Sequence, residues 1–310
     1  MKLKHFLLPL IAVIVFAGCN NQNNPSISTN TSSGWDESKY VPNYSTPPFI
    51  IDDHVHARAT PEWEKAFLEA YTKRNAMAVL FYGARDWEAG LAFAKAHPDR
   101  VIPYANVDID SPTILQEIQK AYDMGFKGLG ELFARGDWDY CDPKYEPVWT
   151  LAEKLGLLIA PHTGNLANGL MHHLRPAPLA DICARHPKLK IHSAHFGNPW
   201  YEEAAECARR NVNLYFDLSG SSLIKKENDP QYWAQWLWWT DAIGKPHMPK
   251  NAVPAWEKIV FGSDEGPDQL EENIRRFNKV LDANNVPDSI RAKCYGLTMA
   301  RLIGIKVPAN

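Results

Sequence analysis

His54 and His56 flank a single valine. In a β-strand the side-chain period is two, so both imidazoles would share one face and could reach one cation. An isolated His-x-His pair is weak evidence for a metal, but it has company later in the chain. His162 follows the apolar run Leu157 to Ala160, and Asp264 closes the run Ile259 to Gly262. Three imidazoles and a carboxylate form a nitrogen and oxygen set that suits zinc, with manganese or iron as alternatives. Bound zinc brings the pKa of its water toward neutrality and polarises a carbonyl. A base must still take the proton, and Asp264, touching both metal and water, would be placed to do so. His195 could hold a developing oxyanion, donate to a leaving group, or bind a second metal.

Around this set stand residues with two readings each. Arg58, just beyond His56, could grip a substrate carboxylate at the rim or form an ordinary surface ion pair. His172 and His173 follow His162 in a long connection, where substrate contact competes with simple solvation. His97 and His186 each precede a proline at a helix end and read as capping or surface residues. His192, three residues before His195, falls on the opposite face of a regular strand and reads as packing. Lys127 is excluded as a carbamylated bridge because it lies four residues before Glu131, roughly 13 Å deeper at about 3.3 Å per residue.

These residues need elements to position them. From Pro48 onward short apolar runs alternate with longer helical patterns, as in a parallel sheet wrapped by helices. The runs are 49–56, 77–83, 101–108, 125–132, 157–163, 189–196, 212–219 and 259–264, and the intervening segments 61–75, 86–97, 112–124, 143–156, 176–187 and 199–211 are long enough for outer helices. The expected fold is therefore α/β, a (β/α)8 TIM barrel, whose catalytic groups stand at the C-terminal strand ends. His56, Glu131, His162, His195 and Asp264 all fall at or near the end of such a run.

After the seventh run, Asp229-Pro230 and Gly244 predict a helix over 230–243. It would carry Tyr232, Trp233, Trp236, Trp238 and Trp239, more aromatics than one buried stripe requires. Trp236 is expected to help cover the substrate, with Trp200 as a second aromatic wall. A second subunit, giving a homo-oligomer, or plain core packing would use the same surplus.

The motifs taken in order are Asp52-x-His54-x-His56, His162-Thr163-Gly164, Pro187-x-Leu189-Lys190 leading to Ala194-His195-x-Gly197, Tyr215-x-Asp217-x-Ser219-Gly220 and Gly262-Ser263-Asp264. Together they resemble the amidohydrolase-related branch of the amidohydrolase superfamily, which also contains nonoxidative aromatic decarboxylases. The resemblance spans roughly residues 49 to 305. It implies that His54, His56, His162 and Asp264 bind metal, that His195 is catalytic or holds a second metal, and that Asp264 shuttles protons. Gly128-x-Gly130-Glu131-Leu132 resembles the strand end of dinuclear, deoxyribonuclease-like members, where such a glutamate contacts metal. The other reading of Glu131 is an acceptor that fixes a ligand histidine.

Hydrolysis of an amide, ester or lactone of a small molecule is the leading expectation, because Asp52 and Glu131 make the site acidic. Nonoxidative decarboxylation of an aromatic or unsaturated acid is the alternative, and a noncatalytic surface lipoprotein that binds a ligand is a third. A net charge of −3 and the absence of a basic run argue against nucleic acid.

The first residues are read separately. Lys2 and Lys4 precede an apolar run, Phe6 to Ala17, of signal-peptide length, ending in Phe16-Ala17-Gly18-Cys19. This resembles a bacterial lipobox, implying a lipoprotein signal over 1–18, lipidation of Cys19, and export with anchoring to a membrane face. Residues 19–46 are polar and read as a disordered tether, leaving 47–310 for the barrel. Cys141, Cys183, Cys207 and Cys294 lack CxxC spacing, which excludes a zinc knuckle.

Overall fold

The computed structural model describes residues 49–134, 139–167, 169–241, 243 and 247–307. The expected leader, Cys19 and the tether lie outside these residues. The strands are β1 (Ile50–His56), β2 (Ala76–Tyr82), β3 (Val101–Ala105), β4 (Gly128–Leu132), β5 (Leu158–Pro161), β6 (Ile191–Ser193), β7 (Leu214–Asp217) and β8 (Ile259–Val260). They form one 8-stranded sheet in sequential order, and every paired neighbour runs parallel. The helices are α1 (Pro61–Lys73), α2 (Trp87–Ala96), α3 (Ile114–Met124), α4 (Glu146–Leu155), α5 (Ala177–Arg185), α6 (Tyr201–Arg210), the short α7 (Ser221–Lys225), α8 (Leu270–Ala283), α9 (Asp288–Ala292) and α10 (Thr298–Ile303).

Alternation along the strands separates two apolar clusters. Ile51, Val79, Phe81, Ile102, Tyr104, Leu158, Tyr215 and Val260 form the inner one, joined at the lower end by Met299, Ala300 and Leu302 of α10. Ile50, Val55, Leu80, Leu129, Ile159 and Phe261 face outward against helix residues such as Phe67, Tyr71, Trp149 and Phe277. The seam between β8 and β1 is closed by backbone bonds from Asp53 N to the Phe261 carbonyl, 2.9 Å, and from Asp264 N to the His54 carbonyl, 2.8 Å.

Two strands depart from regular pairing. On β1 the register shifts between Asp52, opposite Ala78, and Val55, opposite Leu80. Two residues therefore face one, which is a β-bulge, and Asp53 and His54 both turn inward. On β4 the register shifts between Gly130 and Leu132, leaving Glu131 as the extra residue.

The strands stop earlier than the apolar runs suggest. His162 pairs only through an isolated bridge to Ala194, His195 lies in a 3-10 turn at His195–Gly197, and Asp264 follows β8 in open backbone. His195 and Asp264 have φ of 64° and 55°, a left-handed conformation unfavourable for residues with a Cβ and common at functional sites. The expected helix over 230–243 is not formed: a 3-10 segment, Pro230–Gln235, gives way to irregular backbone, and Asp229 makes no side-chain cap. Trp233 and Trp239 are buried in the outer cluster while Trp238 is exposed.

Candidate metal centre

Four side chains meet at the upper mouth of the barrel. Glu131 Oε2 lies 3.4 Å from His54 Nε2 and 3.2 Å from His56 Nε2, and Asp264 Oδ1 lies 3.3 Å and 3.4 Å from the same nitrogens. Donors about 2.0–2.1 Å from one ion are separated by roughly 3.3–3.4 Å in a tetrahedron, so these four carboxylate–imidazole spacings have the length expected between ligands of one cation. The rings of His54 and His56 rest against Phe81, with centroids 5.2 and 5.6 Å away.

The other oxygen of Glu131 faces a second group. Oε1 accepts from His162 Nδ1 at 2.7 Å and lies 3.7 Å from His195 Nε2. Donor atoms mutually within 4.8 Å are found in His54–His56–Asp264 and in His54–Glu131–His195. His162 stands beside Glu131, and its ring centroid is 4.8 Å from that of His195. Glu131 turns one oxygen toward His54 and His56 and the other onto His162, a placement compatible with both of its sequence readings.

The residues fit a divalent cation on chemical grounds. His162 Nε2 is buried and makes no hydrogen bond, and His54 Nε2 is buried with the Glu131 and Asp264 oxygens 3.3–3.4 Å away in poor hydrogen-bond geometry. In each ring Nδ1 donates to a carboxylate, so Nε2 keeps its lone pair and is a metal-competent nitrogen. Leaving such acceptors unpaired is costly without a cation or donor to meet them.

Asp217 and Ser219 were not assigned roles in the sequence reading and prove central. Asp217 Oδ2 accepts from His54 Nδ1 at 3.0 Å, and its Oδ1 accepts from the backbone N–H of His195 and of Ser219, both at 2.8 Å. Ser219 Oγ lies 2.9 Å from His195 Nδ1. The available signal was Asp217 itself, a carboxylate closing an apolar run as Asp264 does. Gly220 follows with φ 57°, and a Cβ there would stand 2.8 Å from Asp264 Oδ2. Tyr140 fixes the β4–β5 corner by donating to the carbonyls of Leu132 and His162.

The electrostatics are those of an acidic pocket. Burial opposes charging His54, yet Glu131 and Asp264 outweigh it and hold its pKa well above the ordinary value. Burial likewise opposes ionising Glu131, but the His54 charge and hydrogen bonds from His162, His54 and His56 hold it well below the usual carboxylate range. Asp264 is lowered in the same way. His195, desolvated by burial, is lowered and therefore neutral near pH 7.

The remaining expectations divide. Arg58 is exposed, and its guanidinium has no ion-pair or hydrogen-bond partner among the described residues. Trp200 lies under the Arg175 guanidinium, 5.5 Å from it, and Trp236 meets Tyr232 with centroids 6.1 Å apart; both pack on the outer cluster. His172 is exposed but His173 is buried in a 3-10 turn, so the second is not a solvated loop residue. His97 ends α2, its N–H on the Phe93 carbonyl. His186 ends α5 but is buried, 2.9 Å from Glu146 Oε1. His192 is the clearest correction. It faces the barrel interior, 3.0 Å from Asp53 and 3.1 Å from the Tyr104 hydroxyl, because β6 ends at Ser193 and the left-handed turn at His195 breaks the alternation that would have separated the two histidines.

Solved structures with this architecture carry different chemistries. An amidohydrolase from Burkholderia multivorans with bound zinc is 15% identical, covering 83% of this chain and 100% of that one, with a TM-score of 0.56. A 5-carboxyvanillate decarboxylase from Novosphingobium aromaticivorans, complexed with manganese, is 12% identical over 83% and 96%, with a TM-score of 0.56. A 4-oxalomesaconate hydratase from Rhodopseudomonas palustris is 14% identical over 83% and 96%, with a TM-score of 0.55. At these identities they share a fold with this chain and nothing finer. No curated protein matches it. The amidohydrolase family model Amidohydro_2 matches residues 51–305, and the chain belongs to that family.

Proposed function

We propose that the protein is a metal-dependent hydrolase acting on an amide, ester or lactone carbonyl of a small molecule. The observation that carries this reading is the pair of carboxylates, Glu131 and Asp264, each with an oxygen 3.2–3.4 Å from both His54 Nε2 and His56 Nε2. His54, His56, Asp264 and Glu131 would hold the ion, most readily zinc, with manganese or iron as alternatives; His162 and His195 would support Glu131 or hold a second ion. A divalent ion there supplies an acidified water and a polarised carbonyl.

The two carboxylates differ in their freedom to accept a proton. Glu131 is 2% exposed and its Oε1 is engaged by His162, whereas Asp264 is 26% exposed and its Oδ2 has a looser contact with His195 Nε2. Asp264 is therefore the base. His195 Nε2, 3.9 Å from Asp264 Oδ2, can pass a proton to the leaving group. Arg58 would orient an anionic group of the substrate from the rim. The Lys2 to Cys19 leader supports export and lipid anchoring of the enzyme.

The test is metal analysis of protein purified without added metal, followed by a panel of lactones, amides and aromatic acids. Bound metal with a new carboxylate as product is expected. Release of carbon dioxide would replace hydrolysis by decarboxylation, and absence of metal would reject the reading.

A further inference from the structure

The β1 bulge is pinned from both faces of the strand. On the outside, Asp52 accepts from the Tyr71 hydroxyl at 2.8 Å, from Ser263 N at 2.9 Å and from His54 N at 3.2 Å. On the inside, Asp53 Oδ2 accepts from His192 Nδ1 at 3.0 Å, which leaves His192 Nε2 to accept from the Tyr104 hydroxyl at 3.1 Å. Asp53, His192 and Tyr104 are all essentially unexposed.

Around this inner chain the barrel is lined by hydrocarbon and aromatic groups: Ile51, Val79, Ile102, Leu158 and Val260. A carboxyl and an imidazole placed there are expensive to desolvate, and an apolar pair of similar volume would pack without that cost. Room for them depends on the backbone just beyond β8 being bare at Gly262. A Cβ at that position would collide with Asp53 Oδ1 and stand 3.0 Å from Asp217 Oδ2, the carboxylate that holds His54. The inner chain therefore lies directly beneath the donor set without contributing a donor to it.

Alternation explains what the bulge achieves. Ile51 faces inward, so a regular strand would send Asp53 and Val55 inward and His54 and His56 outward. The observed strand has Val55 in the outer cluster and both histidines at the site. We infer that Asp53 and His192 are positioning residues, whose contact fixes the bulge that turns His54 and His56 toward the metal centre. This rests on the metal-centre reading above.

The test compares the parent with His192→Phe, His192→Gln and Asp53→Ala by competitive zinc titration, by the visible spectrum of the cobalt-substituted protein, and by crystallography. His192→Phe and Asp53→Ala should weaken zinc binding roughly 10- to 100-fold, as for lost outer-sphere partners, and change the cobalt spectrum while cooperative unfolding is retained. His192→Gln, whose amide can still donate to Asp53, should restore both. A residue that merely fills space would let His192→Phe bind zinc as the parent does, and that result overturns the inference. If both disruptive variants fail to fold, Tyr104→Phe decides: zinc binding equal to the parent's counts against the inference, and several-fold weaker binding supports it. A parent that binds no metal rejects the metal-centre reading alone. The crystal structure of Asp53→Ala, or of Tyr104→Phe if that variant does not fold, still settles the inference, since a His54 ring remaining beside Glu131 and Asp264 would overturn it and a displaced ring would uphold it.

Discussion

At the scale of single residues, the centre depends on which nitrogen of each histidine is free. Asp217 takes the Nδ1 proton of His54, leaving Nε2 for a cation. Asp217→Asn keeps the size of the side chain but can turn an amide N–H toward His54, so zinc affinity should fall roughly 10- to 100-fold; an unchanged affinity by competitive titration would show that other contacts orient the ring. His195→Ala should leave metal content near that of the parent and lower turnover roughly 10²- to 10⁴-fold, the range for a lost general acid or base. Metal loss in step with activity would make His195 a ligand. His192 gives a pH signature of its own. Burial pushes its pKa down from 6.5 to about 3, outweighing the opposing pull of the Asp217 charge. Below about pH 6.5 the unfolded chain therefore binds a proton that the folded chain does not bind until about pH 3. This contribution lowers stability as pH falls through that window and vanishes above it. Denaturant midpoints measured from pH 7 to pH 4 should fall less steeply for His192→Gln than for the parent.

At the scale of elements, the barrel was legible because the strands are short apolar runs separated by helix-length segments, and α1 to α6 begin and end within a few residues of their sequence-predicted limits. That His54, His56, Glu131 and Asp264 come together was legible because the runs carrying them end at one rim of the barrel. What alternation could not reveal were the places where alternation fails. In Asp52-Asp53-His54-Val55-His56 the period of two predicts the His54 and His56 pair correctly but says nothing about Asp53 joining them on the same side. His192 was assigned to the wrong face because the strand was assumed to continue through His195. Glu131 had two readings because the sequence does not show that a bulge presents it between two histidine groups. Residues 230–243 misled in another way: the cap and stop signals were present, but Asp229 makes no side-chain cap and only a 3-10 segment forms. The β4 bulge gives a direct test. Gly130 has φ 157°, and a Cβ would lie 2.6 Å from Ala160 Cβ and 2.8 Å from its carbonyl oxygen, neither of which can swing aside. Gly130→Ala should cost about 1–3 kcal/mol of stability and lower metal content by displacing Glu131, read from the denaturant midpoint and metal analysis. A variant with full metal content would mean that Glu131 does not depend on this backbone geometry.

At the scale of the whole molecule, the barrel is thinly paired where it closes. β8 is two residues long, and the seam to β1 relies on the Asp53 to Phe261 and Asp264 to His54 backbone bonds, reinforced by the Asp52 carboxylate on Ser263 N. The proposed cation would be held by His54 and His56 from β1 and by Asp264 from just beyond β8, so it would tie the two sides of the seam together, with Glu131 reaching in from β4. Any ligand that binds only the folded state stabilises it by mass action, about 2.7 kcal/mol when its free concentration is one hundred times Kd. For a domain of this size that corresponds to a rise in Tm of roughly 5–10 °C. Removing metal with a chelator should therefore lower Tm by about this amount, with restoration on adding zinc. The location of the effect matters more than its size. Hydrogen exchange should accelerate on metal removal at the amides of Asp53 and Asp264, whose bonds form the seam, and change little at those of β2 and β3, whose pairing extends from Ala78–Val101 to Tyr82–Ala105 without a break. Uniform acceleration across all strands would show that the ion stabilises the fold globally and does not act as a clasp between β8 and β1.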